Sequence, residues 1–308
     1  MPRPLSIILP VHDEAAVVQS QIRQLRARFP EAEILVVDDG SHDGSGDLAR
    51  QAGARVVAHP RNLGNGAAIK SGARHATGEI LVFMDADGQH AVDDIPRLLE
   101  MVTSGYAMAV GARVSRSHAG WARRIGNGVL NGFASWLTGQ RIPDLTSGFR
   151  AVRAAPFRRF LYLLPNGFSY PTTITMAFMR SGLPVGFTPI VAGQRVGKSK
   201  IRLISDGTKF LLIIMKITQL FSPMRVFLPV SLLFFALGVG RYIHVYALTG
   251  RLTNMPVLLF IASLLTFLVG LLSEQVATLY YATSAHAEEQ DARAQQSGQQ
   301  IGSGLDEP

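Results

Sequence analysis

Two aspartates set one residue apart carry the sharpest chemical signal in this chain. Phe83-Met84-Asp85-Ala86-Asp87 closes a hydrophobic run, and carboxylates at that spacing can face one hard cation together. A Mg²⁺ or Mn²⁺ ion held this way fills its other positions with phosphate oxygens and water, and neutralises a diphosphate leaving group as a Lewis acid. A pair of solvated turn acids has the same spacing. A second pair, Asp38-Asp39, ends the run Val36-Val37 and leads into Gly40-Ser41-His42-Asp43-Gly44-Ser45. That set suits hydrogen bonding to a base and a ribose, with Asp43 and Ser45 as Asx-turn and helix-cap residues. Arg61-Asn62-Leu63-Gly64-Asn65-Gly66 opens a helix and could present backbone N–H groups to a phosphate, or form an ordinary turn.

Regular elements must bring these segments together. Four short aliphatic runs, Ser6–Val11, Glu33–Asp39, Arg55–His59 and Glu79–Asp85, alternate with helix-like stretches at Ala15–Arg28, Gly46–Ala52 and Gly66–Ala76. Such alternation predicts βαβ units and a mostly parallel, Rossmann-type α/β sheet. Ligands of these sheets sit outside the carboxyl ends of the strands. Those ends hold Pro10 to Glu14, Asp38 to Ser41, His59 to Asn62 and Asp85 to Asp87, so polar and acidic groups gather on one rim. From Gly105 to Gly193 the pattern is less regular and reads as the acceptor half of the same domain.

Composition divides the 308 residues unevenly: 47% are hydrophobic and 17% charged, and the stretch Phe210–Tyr281 is mostly apolar. The chain carries +8; the segment after Ala285 carries −4, which leaves +12 for the rest. A basic body beside apolar segments fits an anionic membrane surface or phosphate-rich ligands. No basic run is interleaved with aromatics, so nucleic acid is not expected as a partner. Cysteine is absent, which excludes disulfides, thiolate metal sites and a cysteine nucleophile. The run Leu5–Val11 leads straight into Asp13 and Glu14 and reads as a first strand rather than a signal peptide.

Leu203–Leu220, with Lys209 and Lys216 among aliphatics, reads as an amphipathic helix lying on a membrane. Two spanning segments are expected after it. Val226–Gly240 extends through Arg241 to Tyr246, and Leu252–Ser273 offers 22 uncharged residues, where about 20 suffice to cross a bilayer. Seven Lys or Arg lie in Arg195–Arg225, against Arg241 and Arg251 between the spans. The positive-inside rule then places the preceding domain and the C-terminal tail in the cytoplasm.

The ordered set Pro10…Asp13-Glu14, Asp38-Asp39-Gly40-Ser41, Asn62…Gly64…Gly66-Ala67 and Asp85-Ala86-Asp87-Gly88-Gln89-His90 resembles a family 2 glycosyltransferase. Within that family the chain is similar to the dolichyl- and polyprenyl-phosphate sugar synthases. Asp144-Leu145-Thr146-Ser147-Gly148-Phe149-Arg150, Arg195-Val196-Gly197-Lys198-Ser199-Lys200 and Ser222-Pro223-Met224-Arg225 extend the likeness. The resemblance implies a GT-A fold over 1–200, an amphipathic segment over 201–222 and a membrane hairpin over 223–281, with spans near 226–247 and 253–275. A polar, disordered tail is expected over 282–308.

It also implies roles. Pro10, Glu14, Asp38 and Asp39 would meet the nucleoside, and Asp85, Ala86 and Gln89 would complete the nucleotide-sugar site. Asp85 and Asp87, with Gln89 close by, would hold Mg²⁺ or Mn²⁺. Arg113, Arg124, Arg195 and Lys200 would reach donor and acceptor phosphates. Asp144 would orient one of these arginines or the sugar, or cap the Ser147-Gly148 turn. The implied reaction inverts the anomeric centre as a hexose passes from a GDP-mannose- or UDP-glucose-type donor to a polyprenyl phosphate.

The partners are therefore a nucleotide-sugar, a polyprenyl phosphate and the bilayer, with a second copy or a downstream flippase or glycosyltransferase as further candidates. The chain departs from the family pattern at Gly186-Phe187-Thr188-Pro189-Ile190, which lacks an acid before the proline, and over Tyr170–Met179, which has none. Those departures leave the sugar open. Two other readings fit parts of the pattern. A processive polysaccharide synthase would need a Gln-x-x-Arg-Trp motif, and neither Trp121 nor Trp136 follows an arginine. A non-catalytic scaffold would not require the acidic and basic sets.

Overall fold

The computed structural model describes residues 4–113, 121–167, 170–191, 222–251 and 253–303; side chains are described outside 121–127, 249 and 280–303. Two compact units are present, Met1–Ile214 and Met215–Pro308.

In the first unit the expected alternation is found. Strands β1 (Leu5–Val11), β2 (Glu33–Asp38), β3 (Arg55–Ala58) and β4 (Ile80–Phe83) enclose helices α1 (Ala15–Arg28), α2 (Ser45–Gln51) and α3 (Asn65–His75). Helix α4 (Ile95–Thr103) follows. The stretch that sequence leaves irregular holds three more strands, β5 (Met108–Arg113), β6 (Arg150–Arg153) and β7 (Val185–Ile190), with helices α5 (Trp121–Thr138), α6 (Ala154–Arg159) and α7 (Tyr170–Arg180). Gly111, Gly186, Pro189 and the two arginines of β6 blur the period-two signal there. Pro189 is tolerated because β7 is an edge strand.

The seven strands run in the order β3-β2-β1-β4-β6-β5-β7. Every pairing is parallel except those of β6, which runs antiparallel to β4 and β5. That inversion shapes the site. The chain enters β6 at the rim where the parallel strands end, so the segment before β6 meets the segments after β4 and β5. Register fixes the meeting: Arg150 pairs with Phe83 on one side and with Val110 on the other.

Alternation along β1 sends Ile7, Leu9 and Val11 to one face of the sheet, into a cluster with Val18, Ile22 and Leu25 of α1 and Leu98 of α4. Ile8 points the other way, under α3. Gly72 permits that close packing, since a Cβ there would lie 2.4 Å from Ile8 Cγ2.

The second unit pairs α8 (Met224–Thr249) with α9 (Asn254–Ser303). Met224–Leu248 and Asn254–Leu279 are each long and apolar enough to cross a membrane. Small residues let the two helices approach. Ser231 and Ser263 exchange hydroxyl-to-carbonyl hydrogen bonds of 3.1 and 2.9 Å, and Gly238 lies against Phe260. Leu232, Leu233, Leu258, Leu264 and Leu265 face outward.

One expectation is corrected here. The tail, read as disordered from residue 282, continues as helix to Ser303, because Ala282, Ala285, Ala287, Glu288, Glu289 and Gln290 are strong helix formers. Residues 201–221, expected as most of an amphipathic helix, lie outside the described residues.

Candidate active site

The segments after β1 and β2 are laced together by side chains bonded to backbone. Ser41 Oγ accepts from the Asp13 N–H at 3.1 Å, Ser45 Oγ from the Glu14 N–H at 2.9 Å, and Asp43 Oδ2 from the Ala15 N–H at 2.9 Å. In return the His42 N–H donates to Asp13 Oδ1 at 2.9 Å. Asp13 takes a left-handed backbone, φ +57°, a conformation that aspartate tolerates better than most residues. Against the upward push of burial, Ser45 and the Ala15 N–H hold the Asp43 carboxyl below its usual range. Pro10 and Glu14 flank this seam.

Asp38 and Asp39, though adjacent, do different work. Asp38 is half-buried; its Oδ1 accepts from the Ser41 N–H at 3.0 Å, and its Oδ2 occupies room left by Gly46, where a Cβ would lie 2.3 Å away. Asp39 is buried and serves the protein itself. Its carboxylate accepts from the N–H groups of Leu63 and Gly64 at 2.9 and 2.8 Å and lies 2.7 Å from His59 Nδ1. The geometry therefore gives Asp39 the holding of the segment 59–64.

That segment is an ordinary turn, and the phosphate reading of Arg61–Gly66 is not met. The start of α3 is filled by protein carbonyls: the Ala67 N–H donates to Asn166 O at 2.9 Å, and a Cβ on Gly64 would sit 2.6 Å from that oxygen.

At the centre of the rim stands Asp85-Ala86-Asp87. Gln21 Nε2 donates to the Asp85 carbonyl at 3.2 Å, and the Gln89 N–H donates to Asp87 Oδ1 at 3.1 Å. Asp87 is buried, while the Asp85 side chain is 37% exposed. Gly148, from the segment before β6, passes so close that a Cβ would lie 3.0 Å from Asp85 Oδ2. His90 stacks on Phe149 with ring centroids 4.8 Å apart and places Nε2 3.9 Å from the same oxygen. The donor set is hard oxygen, the chemistry Mg²⁺ and Mn²⁺ take, so these residues fit such an ion.

Beside it lies the cationic side of the rim. Asp144, from the segment before β6, grips Arg113 at the end of β5 in bidentate fashion: Nε donates to Oδ2 at 2.7 Å and Nη2 to Oδ1 at 3.0 Å. Thr146 Oγ1 accepts from Nη2 at 2.7 Å. Burial pushes the Asp144 carboxyl up, but Arg113 and the N–H groups of Arg113 and Thr146 outweigh it and hold it below the usual carboxylate range. Arg113 is stabilised in turn by Asp144 and by the nearby charges of Asp85 and Asp87, against the opposing effect of burial. Asp144 thus both orients Arg113 and accepts from the Thr146 N–H in the turn that follows it, at 3.1 Å.

Sequence reasoning did not single out what lies beneath. Arg150 is fully buried; it donates to Ser147 O, to Pro171 O at 3.2 Å and to Thr175 Oγ1 at 3.3 Å, and its guanidinium sits 5.6 Å from the Tyr170 ring centroid. Tyr170 Oη donates to Gly148 O at 3.2 Å, and burial pushes its phenol pKa above the usual value. Together these two shape the strip 147–149 against Asp85. Arg124 lies in the first turn of α5 with its side chain outside the description, and Arg195 and Lys200 lie outside the described residues.

A family model described as Glycosyl transferase family 2 matches residues 6–162, half of the chain. The chain belongs to glycosyl transferase family 2. A second model, the GtrB C-terminal hairpin, matches residues 222–279. Among relatives, glycosyltransferase AglJ of Haloferax volcanii is 28% identical over 297 residues, covering 91% of this chain and 96% of its own. A polyprenol monophosphomannose synthase of Mycolicibacterium smegmatis is 29% identical, covering 63% of this chain and 80% of its own. An undecaprenyl-phosphate 4-deoxy-4-formamido-L-arabinose transferase of Edwardsiella ictaluri is 32% identical over about half of each chain, 51% in both cases.

Glucosyl-3-phosphoglycerate synthase of Mycobacterium tuberculosis, solved with Mn²⁺ and UDP, shares the fold at TM-score 0.57 and 21% identity, over 70% of this chain and 79% of that one. The family 2 match spans the ends of β1 to β6 and most of the rim described above, so this glycosyltransferase carries its acids and Arg113 within the matched domain. The apolar stretches Met224–Leu248 and Asn254–Leu279 of the second unit both fall within the hairpin match.

Proposed function

We propose that this family 2 glycosyltransferase moves a hexose from a nucleotide-sugar, of the GDP-mannose or UDP-glucose type, to a polyprenyl phosphate at the cytoplasmic face of a membrane. The observation that carries this reading is the meeting, on one rim, of the Asp85/Asp87 pair with the Asp144-held Arg113. The names of the relatives support the acceptor class, and the Mn²⁺ and UDP bound by the structural neighbour support the donor class.

In this reading Pro10, Glu14 and Asp38 line the nucleoside side, and Asp39 holds the neighbouring segment. Asp85 and Asp87 hold Mg²⁺ or Mn²⁺, with Gln89 beside them. When bound, the ion lends Lewis-acid neutralisation to the diphosphate. Arg113 balances phosphate charge near the acids, and Arg124, Arg195 and Lys200 add to the clamp. The acceptor needs no strong base, because a phosphate monoester with a second pKa of about 6 is already largely dianionic at neutral pH. One of its oxygens bonds to the anomeric carbon as the bond from that carbon to the diphosphate oxygen breaks. The electron pair leaves with the nucleoside diphosphate, and the anomeric centre inverts.

Positioning and charge compensation are what the protein must supply. The seven basic residues of Arg195–Arg225, against two in the turn of the hairpin, support a cytoplasmic catalytic unit and tail. The test is incubation of the detergent-solubilised chain with Mg²⁺ or Mn²⁺, a short polyprenyl phosphate and a panel of UDP- and GDP-sugars, read by mass. A glycosyl-phosphate lipid from one donor is expected; no glycolipid from any donor, with nucleotide still bound, would refute the reading.

A further inference from the structure

Among the described residues, Arg150 is the one Lys or Arg that is fully buried. Every acceptor within its reach there is neutral. Nη2 donates to Ser147 O, and Nη1 lies 3.2 Å from Pro171 O, 3.3 Å from Thr175 Oγ1 and 3.6 Å from Met108 Sδ, while Nε has no acceptor. Arg113, by contrast, has the Asp144 carboxylate as its counter-charge.

A buried cation among neutral acceptors is costly, because carbonyls offset only part of its lost hydration. Holding the strip 147–149 does not require that cost, since a neutral side-chain amide can donate to the same carbonyls. A guanidinium also keeps its proton at working pH, so the charge is permanent.

The charges that answer it lie across the strip. A Cβ on Gly148 would sit 3.0 Å from Asp85 Oδ2 and 3.4 Å from Tyr170 Oη, so one backbone layer separates the Arg150–Tyr170 floor from the acidic pair. Burial works against the charge of Arg150, and the carboxylates of Asp144 and Asp85 favour it. Formally, Asp85, Asp87 and Asp144 bring −3 and Arg113 and Arg150 bring +2, which leaves −1. Without Arg150 the same groups would hold −2 and match a divalent ion by themselves. With it, a divalent ion leaves positive charge over, and a diphosphate is the group that takes that charge up.

We infer that Arg150 is a positioning residue that acts by charge: it weakens a divalent ion bound alone, strengthens a diphosphate, and so makes metal and nucleotide load together. It touches neither ligand and acts through the strip 147–149. The inference rests on the proposed reading of Asp85 and Asp87 as the metal pair.

The test is titration calorimetry on the detergent-solubilised full chain with Mn²⁺ alone, with UDP or GDP alone, and with each nucleotide in the presence of Mn²⁺. Arg150→Gln should bind Mn²⁺ alone about tenfold more tightly and metal-free nucleotide about tenfold more weakly, the scale of one charge acting across about 10 Å at an effective dielectric of about 20. A merely structural role would weaken both. Arg150→Lys keeps the charge, so both affinities should stay within about twofold of wild type. Thr175→Asp sets a carboxylate beside the untouched guanidinium and should shift both affinities as Arg150→Gln does, which decides the matter if Arg150→Gln does not fold. Mn²⁺ and nucleotide affinities that fall together in these two variants, or that stay unchanged while the thermal melts are intact, would overturn the inference. If wild type binds Mn²⁺ but neither UDP nor GDP, the proposed donor class fails, and the Mn²⁺ titrations alone decide the role of Arg150. If no chain binds Mn²⁺, the metal pair is refuted and this inference with it.

Discussion

The two halves of the rim hold charge in opposite ways. After β1 and β2, carboxylates are steadied by backbone N–H groups and serine hydroxyls: Asp13, Asp38, Asp39 and Asp43 all accept from the main chain. After β5 and before β6 the fixed charges are cationic, with Arg113 gripped by Asp144 and Arg150 buried under the strip 147–149. Asp85 and Asp87 stand between. Neutral hydrogen-bonding loops suit a base and a ribose, where geometry discriminates. Oriented arginines suit phosphates, where repulsion between two anions must be overcome. The antiparallel insertion of β6 is what puts both chemistries on one edge.

The comparison can be broken most severely at its centre. Asp87→Asn should lower transfer about 10³-fold, since metal-assisted charge stabilisation is worth several kcal/mol. It should also weaken Mn²⁺ binding measured by titration calorimetry, with the melting temperature little changed. Next, Arg113→Ala should cost about 10²-fold in kcat/KM, the scale of losing one charge-stabilising donor at a reacting group. Nucleotide affinity through Asp38 should survive, and a loss confined to nucleotide affinity would put Arg113 on the wrong half.

Asp144→Asn sharpens the cationic half. It should destabilise the fold at neutral pH by about 2 kcal/mol, less than the roughly 3–5 kcal/mol of a fully buried pair because Arg113 is 35% exposed. The folded pKa of Asp144 is depressed, so its contribution is present above the unfolded value of about 3.9 and is lost as pH falls through the folded value. Chemical denaturation at several pH values should show the wild-type advantage shrinking below about pH 4. On the acidic half, Asp39→Asn should cost about 1.5 kcal/mol, as charge-assisted bonds to Leu63 and Gly64 weaken. Ser45→Ala should cost about 1 kcal/mol by freeing the Glu14 N–H.

The first half of the sheet was legible because its strands are aliphatic or β-branched runs, three of the four leading into an acid, and each is followed by a turn and a helix. Observed bounds fall within two residues of those expected. Beyond Gly105 the strands are short and interrupted by Gly, Pro or Arg, and their partners are distant in sequence. Nothing local in Asp144-Leu145-Thr146 shows that Arg113 sits 31 residues back in a bidentate pair. Nothing in Asp38-Asp39 tells which of two neighbours faces inward, because successive strand residues alternate and either phase fits. Arg150 carries a charge in a place where composition expects an aliphatic residue, and its partners, the carbonyls of Ser147 and Pro171, Thr175 Oγ1 and the Tyr170 ring, are visible only in the fold.

The central claim is that an oxygen of a lipid monophosphate takes the sugar and a nucleoside diphosphate leaves. Mass analysis of both products from one reaction, using polyprenyl phosphate labelled with ¹⁸O in its phosphoryl group, tests it directly. The prediction is a glycosyl lipid with a single phosphate that keeps all the label, together with unlabelled nucleoside diphosphate. A lipid diphosphate with release of nucleoside monophosphate would contradict it, because the sugar would then have travelled with its phosphate.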